Sequence, residues 1–358
     1  MELINKNILV TGSAGFIGSN LILRLLKESN QMTIVGFDNL NDYYDVSLKE
    51  WRLREIEKES KKHPEINYVF IKGDLTDAKL LSKVFEKYKF DIVVHLAAQA
   101  GVRYSISHPD EYVQSNVVGF YNILENIRKA YDVYGKKVLH FVYASSSSVY
   151  GSRNDAPYSV NDNTDCPVSF YAATKKTNEI FAYAYSHMYN IPSTGLRFFT
   201  VYGPGGRPDM AYFSFADKLR SNQKIQLFNY GECQRDFTYI DDVTESIVRI
   251  MKKRPKKMPG KNLSFGPPYI IYNIGNSKPE TLRDFVNILE QKLIEVGVLG
   301  KDNNFIKNEE LVPMQLGDVS ITSANIGDLE KDIGFKPSTP LEEGLYRFAK
   351  WYKEYYQL

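Results

Sequence analysis

Short apolar runs alternate with longer amphipathic stretches through roughly the first 200 residues. The apolar runs are bounded by polar or turn residues, which is typical of strands buried in a parallel sheet. The predicted strands are Asn7–Thr11, Met32–Phe37, Tyr68–Lys72, Ile92–Ala97, Val138–Ala144 and Ser193–Phe198. The predicted helices between them are Ile17–Lys27, Ser47–Lys58, Ala78–Tyr88, Glu111–Ala130 and Tyr171–Tyr189. This alternation predicts an α/β fold with a doubly wound parallel sheet, whose ligands bind beyond the carboxyl ends of the strands.

The regular pattern stops after Tyr202, where Gly203–Pro208 breaks the chain. Shorter and less regular elements follow, and Leu341–Tyr356 has the pattern of an amphipathic closing helix. We therefore expect a second, smaller α/β region after the first domain, as the length of 358 residues also suggests.

Composition excludes several classes of protein. The 45 basic and 43 acidic residues give a formal charge of +2, too little to indicate a nucleic-acid or anionic-membrane partner. The basic segment Lys252–Lys257 is interpreted as a solvated loop.

Cys166 and Cys233 form neither a disulfide framework nor a metal pattern, so we expect a reducing compartment and no metal. The sequence shows no signal peptide and no membrane span, which favours a soluble cytoplasmic protein.

A glycine-rich loop joins the first strand to the first helix. Gly12, Gly15 and Gly18 have the spacing that permits a tight turn, close approach of a pyrophosphate, and close packing of helix on strand. Asp38 ends the second strand 20 residues beyond Gly18, where a carboxylate can bind the adenosine ribose and repel a 2′-phosphate. The predicted cofactor is NAD rather than NADP.

Other residues near the predicted strand ends are further candidates for contacts with the cofactor. Asp74 follows the third strand and could contact the adenine, although it could equally be a turn cap. Small residues end the fourth strand, where a dinucleotide could pass close, although they could equally serve packing. The remaining cofactor-binding candidates are Phe16, Ile17, Asn39, Leu75, Leu96, Ala97 and Ala98.

Tyr171 and Lys175 open a predicted helix at positions i and i+4, on one face. A nearby ammonium group can stabilise a phenolate, so that the tyrosine can take a proton from an alcohol at neutral pH. A Tyr-x-x-x-Lys pair alone is often a surface pair. The glycine loop and the serine-rich strand end Ser145–Ser148 in the same chain favour catalysis.

Together these motifs resemble the extended short-chain dehydrogenase/reductase family, and specifically its nucleotide-sugar epimerases. The resemblance covers nearly the whole chain, including His95–Ala98, Arg235–Phe237 and the closing helix. It implies that Tyr171 is the catalytic base, that Lys175 holds the nicotinamide ribose, and that Ser146 and Ser148 bond the reacting sugar oxygen.

The resemblance also implies a division of the chain and an assembly. It predicts a Rossmann cofactor domain over residues 1–200, with 238–272 returning to it. The nucleotide-sugar domain would comprise 201–237 and 273–358. Members of the family usually form homodimers through the helices that begin near Glu111 and Tyr171, so a homodimer is expected here.

The choice of reaction depends on the residues before Val149. Related dehydratases have Asp-Glu there and related decarboxylases have Glu, whereas this chain has Ser147 and Ser148. Elimination is therefore disfavoured, and oxidation at C4 followed by re-reduction is expected.

Further segments are similar to the UDP-glucuronate 4-epimerase subgroup. They are Thr200–Pro204, Arg207–Met210, Ala98–Ser105 and Met314–Val319, with Thr200 in place of the Asn usual in galactose epimerases. Hydroxyls could bind a sugar carboxylate, and guanidinium groups could bind a diphosphate. The predicted substrate-binding residues are Ser147, Ser148, Thr200, Arg207, Arg235, Asp318, Gln99 and Arg103.

The resemblance thus implies an enzyme that converts UDP-glucuronate to UDP-galacturonate, and polysaccharide biosynthesis is the expected setting. A 4-epimerase of UDP-glucose or UDP-N-acetylglucosamine is the nearest alternative. A non-catalytic NAD-binding regulator is an alternative of another class, which the intact Tyr171 and Lys175 disfavour.

Overall fold

The computed structural model describes residues 1–28, 31–153, 155–257, 266–314 and 319–358. In chain order, strands β1 to β12 span Lys6–Thr11, Met32–Asp38, Ile66–Lys72, Ile92–His95, His140–Ser146, Ser193–Phe198, Thr200–Tyr202, Ile225–Phe228, Gln234–Tyr239, Tyr269–Ile274, Pro279–Thr281 and Glu309–Val312. Helices α1 to α12 span Phe16–Leu26, Val46–Ser60, Ala78–Tyr88, Tyr104–Ser107, Pro109–Tyr112, Gly119–Tyr134, Phe170–Tyr189, Ala211–Arg220, Ile240–Lys252, Leu282–Glu295, Gly327–Ile333 and Leu341–Tyr356.

The described residues form the predicted sheet. It has seven strands in the order β10-β6-β5-β4-β1-β2-β3. Strand β1 pairs in parallel with β2 and β4, and β5 pairs in parallel with β4 and β6. The connections reverse direction between β1 and β4, which makes this the switch point where open α/β sheets bind ligands. The predicted α/β class with a doubly wound sheet is confirmed.

The chain divides into two compact units. The first comprises Met1–Gly151, Asp162–Phe198 and Thr244–Tyr272. The second comprises Ser152–Asn161, Phe199–Val243 and Asn273–Leu358. It contains a three-stranded sheet in the order β11-β9-β7 and the parallel pair β12-β8.

Residues 152–161 belong to the second unit, whereas the sequence-based division placed them in the first. The reason lies in the main chain of Tyr158. Its N–H donates to Ser323 O at 2.8 Å, and its carbonyl oxygen accepts from the Asn325 N–H at 2.9 Å. Asn273 Nδ2 donates to the same carbonyl oxygen at 2.8 Å. The hydrogen bonds of these backbone groups are made within the second unit. The local hydrophobic pattern does not predict these distant partners.

An apolar core holds α3, α6 and α7 against the first unit's sheet. Leu9 and Phe141 from the sheet, Phe120 from α6 and Ala182 from α7 are buried in one cluster. The predicted helix Glu111–Ala130 is interrupted, because Val113–Val118 forms a π-helical segment between α5 and α6. Helix α6 also runs past Ala130 to Tyr134, since Gly135 ends it in the left-handed conformation that glycine tolerates.

Within the part of the chain that the structure describes, no helix combines the length and the apolar character needed to cross a bilayer.

Candidate active site

The glycine loop packs tightly against the end of β4. Gly12 has φ +71°, and a Cβ placed on it would lie 2.7 Å from Ala97 N. A Cβ on Gly18 would lie 2.1 Å from Gly12 O, so α1 also contacts the loop closely. The N–H groups of the first turn of α1, Phe16–Gly18, have no intrahelical acceptor. These features fit a dinucleotide pyrophosphate, which needs close backbone approach and N–H donors.

Asp38 lies buried at the end of β2, beside this loop. Its Oδ2 accepts from the Ala14 N–H at 3.0 Å, and its Oδ1 accepts from the Leu40 N–H at 2.9 Å. Arg52, buried on α2, donates to Ala14 O at 2.9 Å. Ala14 is therefore held through both its N–H and its C=O, which fixes the conformation of the loop relative to the carboxylate.

Two of the predicted cofactor-binding residues, Asn39 and Asp74, contact each other. Asn39 Nδ2 donates to Asp74 Oδ2 at 2.8 Å. Burial opposes ionisation of Asp74, but the hydrogen bonds from Asn39 and Thr76 outweigh it and hold the pKa of this carboxyl below its ordinary value. The Leu75 side chain packs in the apolar core instead, so only its main chain could face a ligand.

Strand β4 ends at His95, two residues earlier than predicted. Leu96 N donates to Thr11 O, and Ala97 N donates to Thr11 Oγ1, each at 3.2 Å. Thr11 Oγ1 also bonds to His95 Nδ1 at 2.8 Å. Burial, together with the nearby charge of Lys175, lowers the pKa of His95 to about 3. The imidazole is therefore neutral at physiological pH and cannot act as the cation of the site.

Tyr171 and Lys175 lie on the first two turns of α7, as predicted. Ser169 caps the helix by accepting from the Ala172 N–H at 3.1 Å. Lys175 is 3% exposed, and burial lowers its pKa to about 8. Its Nζ lies 6.0 Å from the centroid of the Tyr171 ring and donates to Ala144 O at 3.0 Å. The ammonium group is thus near the phenol while still mostly protonated at pH 7.

The serine turn, Ser146–Tyr150, follows directly from β5. Ser146 Oγ accepts from the Ser148 N–H at 3.1 Å and from the Ser148 hydroxyl at 2.9 Å. A hydroxyl oxygen has two acceptor positions and one O–H. Both acceptor positions of Ser146 are used inside the turn, so only its O–H remains available. This O–H can donate a hydrogen bond to a developing alkoxide or to a ketone oxygen.

Asn116 fixes the segment after β4, although no motif in the sequence singles it out. Its Oδ1 accepts from the Gln99 N–H at 2.7 Å, and its Nδ2 donates to Gln99 O at 3.0 Å and to Thr174 Oγ1 at 3.1 Å. Asn178 Nδ2 donates to Asn116 O at 2.6 Å. The candidate Gln99 is therefore tied to α7, whereas Arg103 is exposed beyond it.

The remaining substrate candidates lie in the second unit. Thr200 begins β7, and Arg235 lies on β9, where its Nη1 donates to Gln234 O at 2.9 Å. Arg207 Nε and Nη2 bond to the Asp209 carboxylate at 3.0 and 2.5 Å. Asp318 lies outside the described residues.

Three comparisons with known proteins bear on this site. The profile of the family described as GDP-mannose 4,6 dehydratase matches residues 9–348. Protein CapI of Staphylococcus aureus is 48% identical over 357 residues, which cover 98% of this chain and 99% of that protein. UDP-glucuronate 4-epimerase 3 of Arabidopsis thaliana is 42% identical over 355 residues, which cover 98% of this chain and 77% of that protein.

Similarity extends to solved structures. The crystal structure of UDP-glucuronic acid 4-epimerase from Bacillus cereus, in complex with UDP-glucuronic acid and NAD, matches with a TM-score of 0.81 at 30% identity. The match covers 98% of this chain and 100% of that one. The chain therefore belongs to the GDP-mannose 4,6 dehydratase family, and the resemblance to extended short-chain dehydrogenases/reductases is confirmed.

Proposed function

We propose that this protein is an enzyme that interconverts UDP-glucuronate and UDP-galacturonate by NAD-dependent epimerisation at C4. The observation that carries the proposal is the placement of Tyr171 and buried Lys175 beside the serine turn, on a Rossmann sheet with a glycine loop. The names of the Arabidopsis relative and of the Bacillus cereus structure support the same reaction and substrate.

The residues that would hold NAD lie in the first unit. The glycine loop would bind its pyrophosphate, Asp38 the adenosine ribose, and Asn39 with Asp74 the adenine side. Ala97 borders the loop closely, and Lys175 would bond the nicotinamide ribose. When bound by these residues, NAD would supply the hydride acceptor for oxidation at the sugar C4 and the hydride donor for the re-reduction. The absence of net redox change follows from this cycle.

Tyr171 is proposed to take the proton from the sugar 4-hydroxyl during oxidation and to return it during reduction. The Lys175 ammonium favours the phenolate by electrostatic attraction, which lowers the free energy of proton removal. Ser146 donates its O–H to the reacting oxygen, because its acceptor positions are already filled by Ser148. Rotation of the 4-keto sugar between the two steps presents its other face and inverts C4.

With a uronate substrate a side reaction is possible, because the 4-keto intermediate is a β-keto acid that can lose carbon dioxide. Decarboxylation requires the bond between C5 and the carboxylate carbon to overlap with the π system of the C4 carbonyl. The Ser147 hydroxyl is proposed to hold the carboxylate in the plane of the ketone, which disfavours that overlap, and the Thr200 hydroxyl is proposed as a further donor to the substrate. The predicted donor role of Ser148 is not available in this arrangement, because its one O–H is donated to Ser146 Oγ at 2.9 Å. Arg207, Arg235 and Asp318 are proposed to bind the diphosphate and the uridine ribose, with Gln99 and Arg103 on the sugar side.

The test is to mix the purified protein with UDP-glucuronate and follow the anomeric and H4 proton signals by NMR. Appearance of UDP-galacturonate without net NADH is expected. Turnover of UDP-glucose or UDP-N-acetylglucosamine in its place would preserve the mechanism and refute the substrate. No turnover of any of them, with NAD still bound, would favour the non-catalytic regulator.

We also propose a homodimer formed through α6 and α7. Large apolar side chains on these helices are exposed, with Tyr121 46%, Ile180 55% and Tyr183 50% accessible. A second copy of the chain would bury them. The double variant Ile180→Lys/Tyr183→Glu should sediment as a monomer, whereas Ile306→Lys, at an apolar side chain 57% exposed in the second unit, should not change the mass. A monomeric wild-type protein would refute this assembly.

The cellular setting stays a prediction. A cytoplasmic location agrees with the free Cys166 and Cys233. A role in polysaccharide biosynthesis would follow from the product, because UDP-linked uronates are activated glycosyl donors.

A further inference from the structure

A buried ion pair lies behind the catalytic side chains and takes no part in the mechanism above. Arg197 on β6 binds Glu179 on α7 through two bonds, Nε to Oε1 at 2.8 Å and Nη2 to Oε2 at 2.9 Å. The two side chains are 3% and 4% exposed. Glu179 Oε1 also accepts from Ser145 Oγ at 2.6 Å.

The pair joins the elements that carry the chemistry. Tyr171, Lys175 and Glu179 are spaced i, i+4 and i+8, so they form one stripe of α7. Lys175 bonds to Ala144 O and Glu179 bonds to Ser145, so two successive turns of the helix contact two successive residues of β5.

The other end of the pair contacts the serine turn. The Arg197 guanidinium lies over the Tyr150 ring, 4.8 Å from its centroid. Tyr150 is the last residue of the serine turn. The turn is thus held from both ends, by Ser145 through Glu179 and by Tyr150 through Arg197.

Stability alone does not account for such a pair. Removing two charges from water carries a large desolvation cost, and an apolar pair of similar volume is often as stable. A bidentate guanidinium–carboxylate pair does, however, fix direction as well as distance. Reaction rates are sensitive to errors in position of about 1 Å.

We infer that Glu179 and Arg197 are positioning residues for the hydride-transfer step, which keep the Tyr171 turn of α7 in register with the serine turn of β5. The inference rests on the proposed function, since it assigns a role in that same site. Neither side chain touches the substrate in this scheme.

Ser145→Ala is the sharpest test, because it removes the bond to β5 while the ion pair itself can persist. Glu179→Gln removes the charge. Glu245→Gln is the matched control, since Glu245 also binds arginines in the first unit but lies on α9. The kcat and KM for UDP-glucuronate, the thermal midpoint, and the isotope effect with substrate deuterated at C4 are measured for each.

We expect Ser145→Ala to lower kcat by about 10-fold to 100-fold, with KM within about twofold and the thermal midpoint near that of the wild type. The isotope effect on kcat should rise, because hydride transfer becomes more rate-limiting. Glu179→Gln should lose more activity, and Glu245→Gln should keep wild-type rates.

Unchanged kcat in Ser145→Ala would overturn the inference. So would a loss of activity that matches the loss of folded protein with an unchanged isotope effect. If the wild type epimerises UDP-glucose instead, the proposed substrate is wrong and the same comparison is made with that sugar. A wild type that turns over neither sugar would overturn both the function and this inference.

Discussion

The Lys175 ammonium group donates to the main-chain oxygen of Ala144 at 3.0 Å, two residues before Ser146. This bond joins the helix that carries Tyr171 to the strand that leads into the serine turn. It also anchors a cation that burial would otherwise disfavour. The position of Lys175 therefore connects the geometry of the site with its dependence on pH.

Activity should fall as pH rises through about 8. Burial lowers the pKa of Lys175 to about 8, so the ammonium loses its proton at a lower pH than an exposed lysine would. The phenolate of Tyr171 then loses its stabilising charge. The measurement is kcat between pH 6 and 10. The arginine in Lys175→Arg stays charged over this range, so the residual kcat of this variant should not fall at high pH. A wild-type profile that is flat to pH 9.5 would contradict this.

Tyr171→Phe should lower kcat by about 10²-fold to 10⁴-fold, the usual contribution of a general base. Bound NAD should be retained, because the glycine loop and Asp38 are unchanged in this variant. The aromatic ring also stays, so its edge-on contact with Tyr112, 6.1 Å between ring centroids, can persist. The control is Tyr112→Phe, which removes a neighbouring hydroxyl that bonds to the Ala100 and Gly101 carbonyl oxygens. That variant should lose much less activity. Comparable losses in the two variants would argue against Tyr171 as the base.

Gly12→Ala should abolish tight NAD binding. The new Cβ would lie 2.7 Å from Ala97 N, and the φ of +71° strains any L side chain. Titration calorimetry with NAD should show at least about a tenfold weaker complex. A Cβ on Gly300 meets no heavy atom within 4 Å, so Gly300→Ala serves as the control. Wild-type affinity in Gly12→Ala would refute the placement of the cofactor.

Asp38→Asn should reduce the preference for NAD over NADP. The substitution removes the negative charge that would repel a 2′-phosphate, while the amide oxygen can still accept one backbone N–H. The ratio of the two dissociation constants is measured. Asp74→Asn changes an exposed carboxylate nearby and should leave that ratio unchanged. If both ratios equal that of the wild type, Asp38 does not set cofactor choice.

Stability should decline as pH falls below 6.5. Burial lowers the pKa of His95 to about 3 and that of His140 to about 4, so the unfolded chain binds their protons first. Each histidine should contribute up to about 1.4 kcal/mol per pH unit to the loss of unfolding free energy. Urea unfolding between pH 7 and 5 measures this slope. His140→Asn should make it shallower, and an unchanged slope would show that His140 does not contribute.

Local sequence determined much of the fold and the outline of the site. Runs of apolar residues specified the strands of the sheet, because strands buried on both faces need side chains such as Val, Ile and Leu. The Gly12 loop and the Tyr171–Lys175 pair were visible because their spacing is fixed by a turn and by the helical repeat. The chemistry of both is encoded within a few residues.

Only the tertiary structure decided which distant residues complete the site. Asn116, 17 residues beyond Gln99, bonds to both sides of that peptide, and Glu179 meets Ser145 across 34 residues of sequence. The early end of β4 depends likewise on Thr11, 86 residues before Ala97. No periodicity marks such partners, because a buried polar group is satisfied by whatever donor or acceptor the packed chain brings to it.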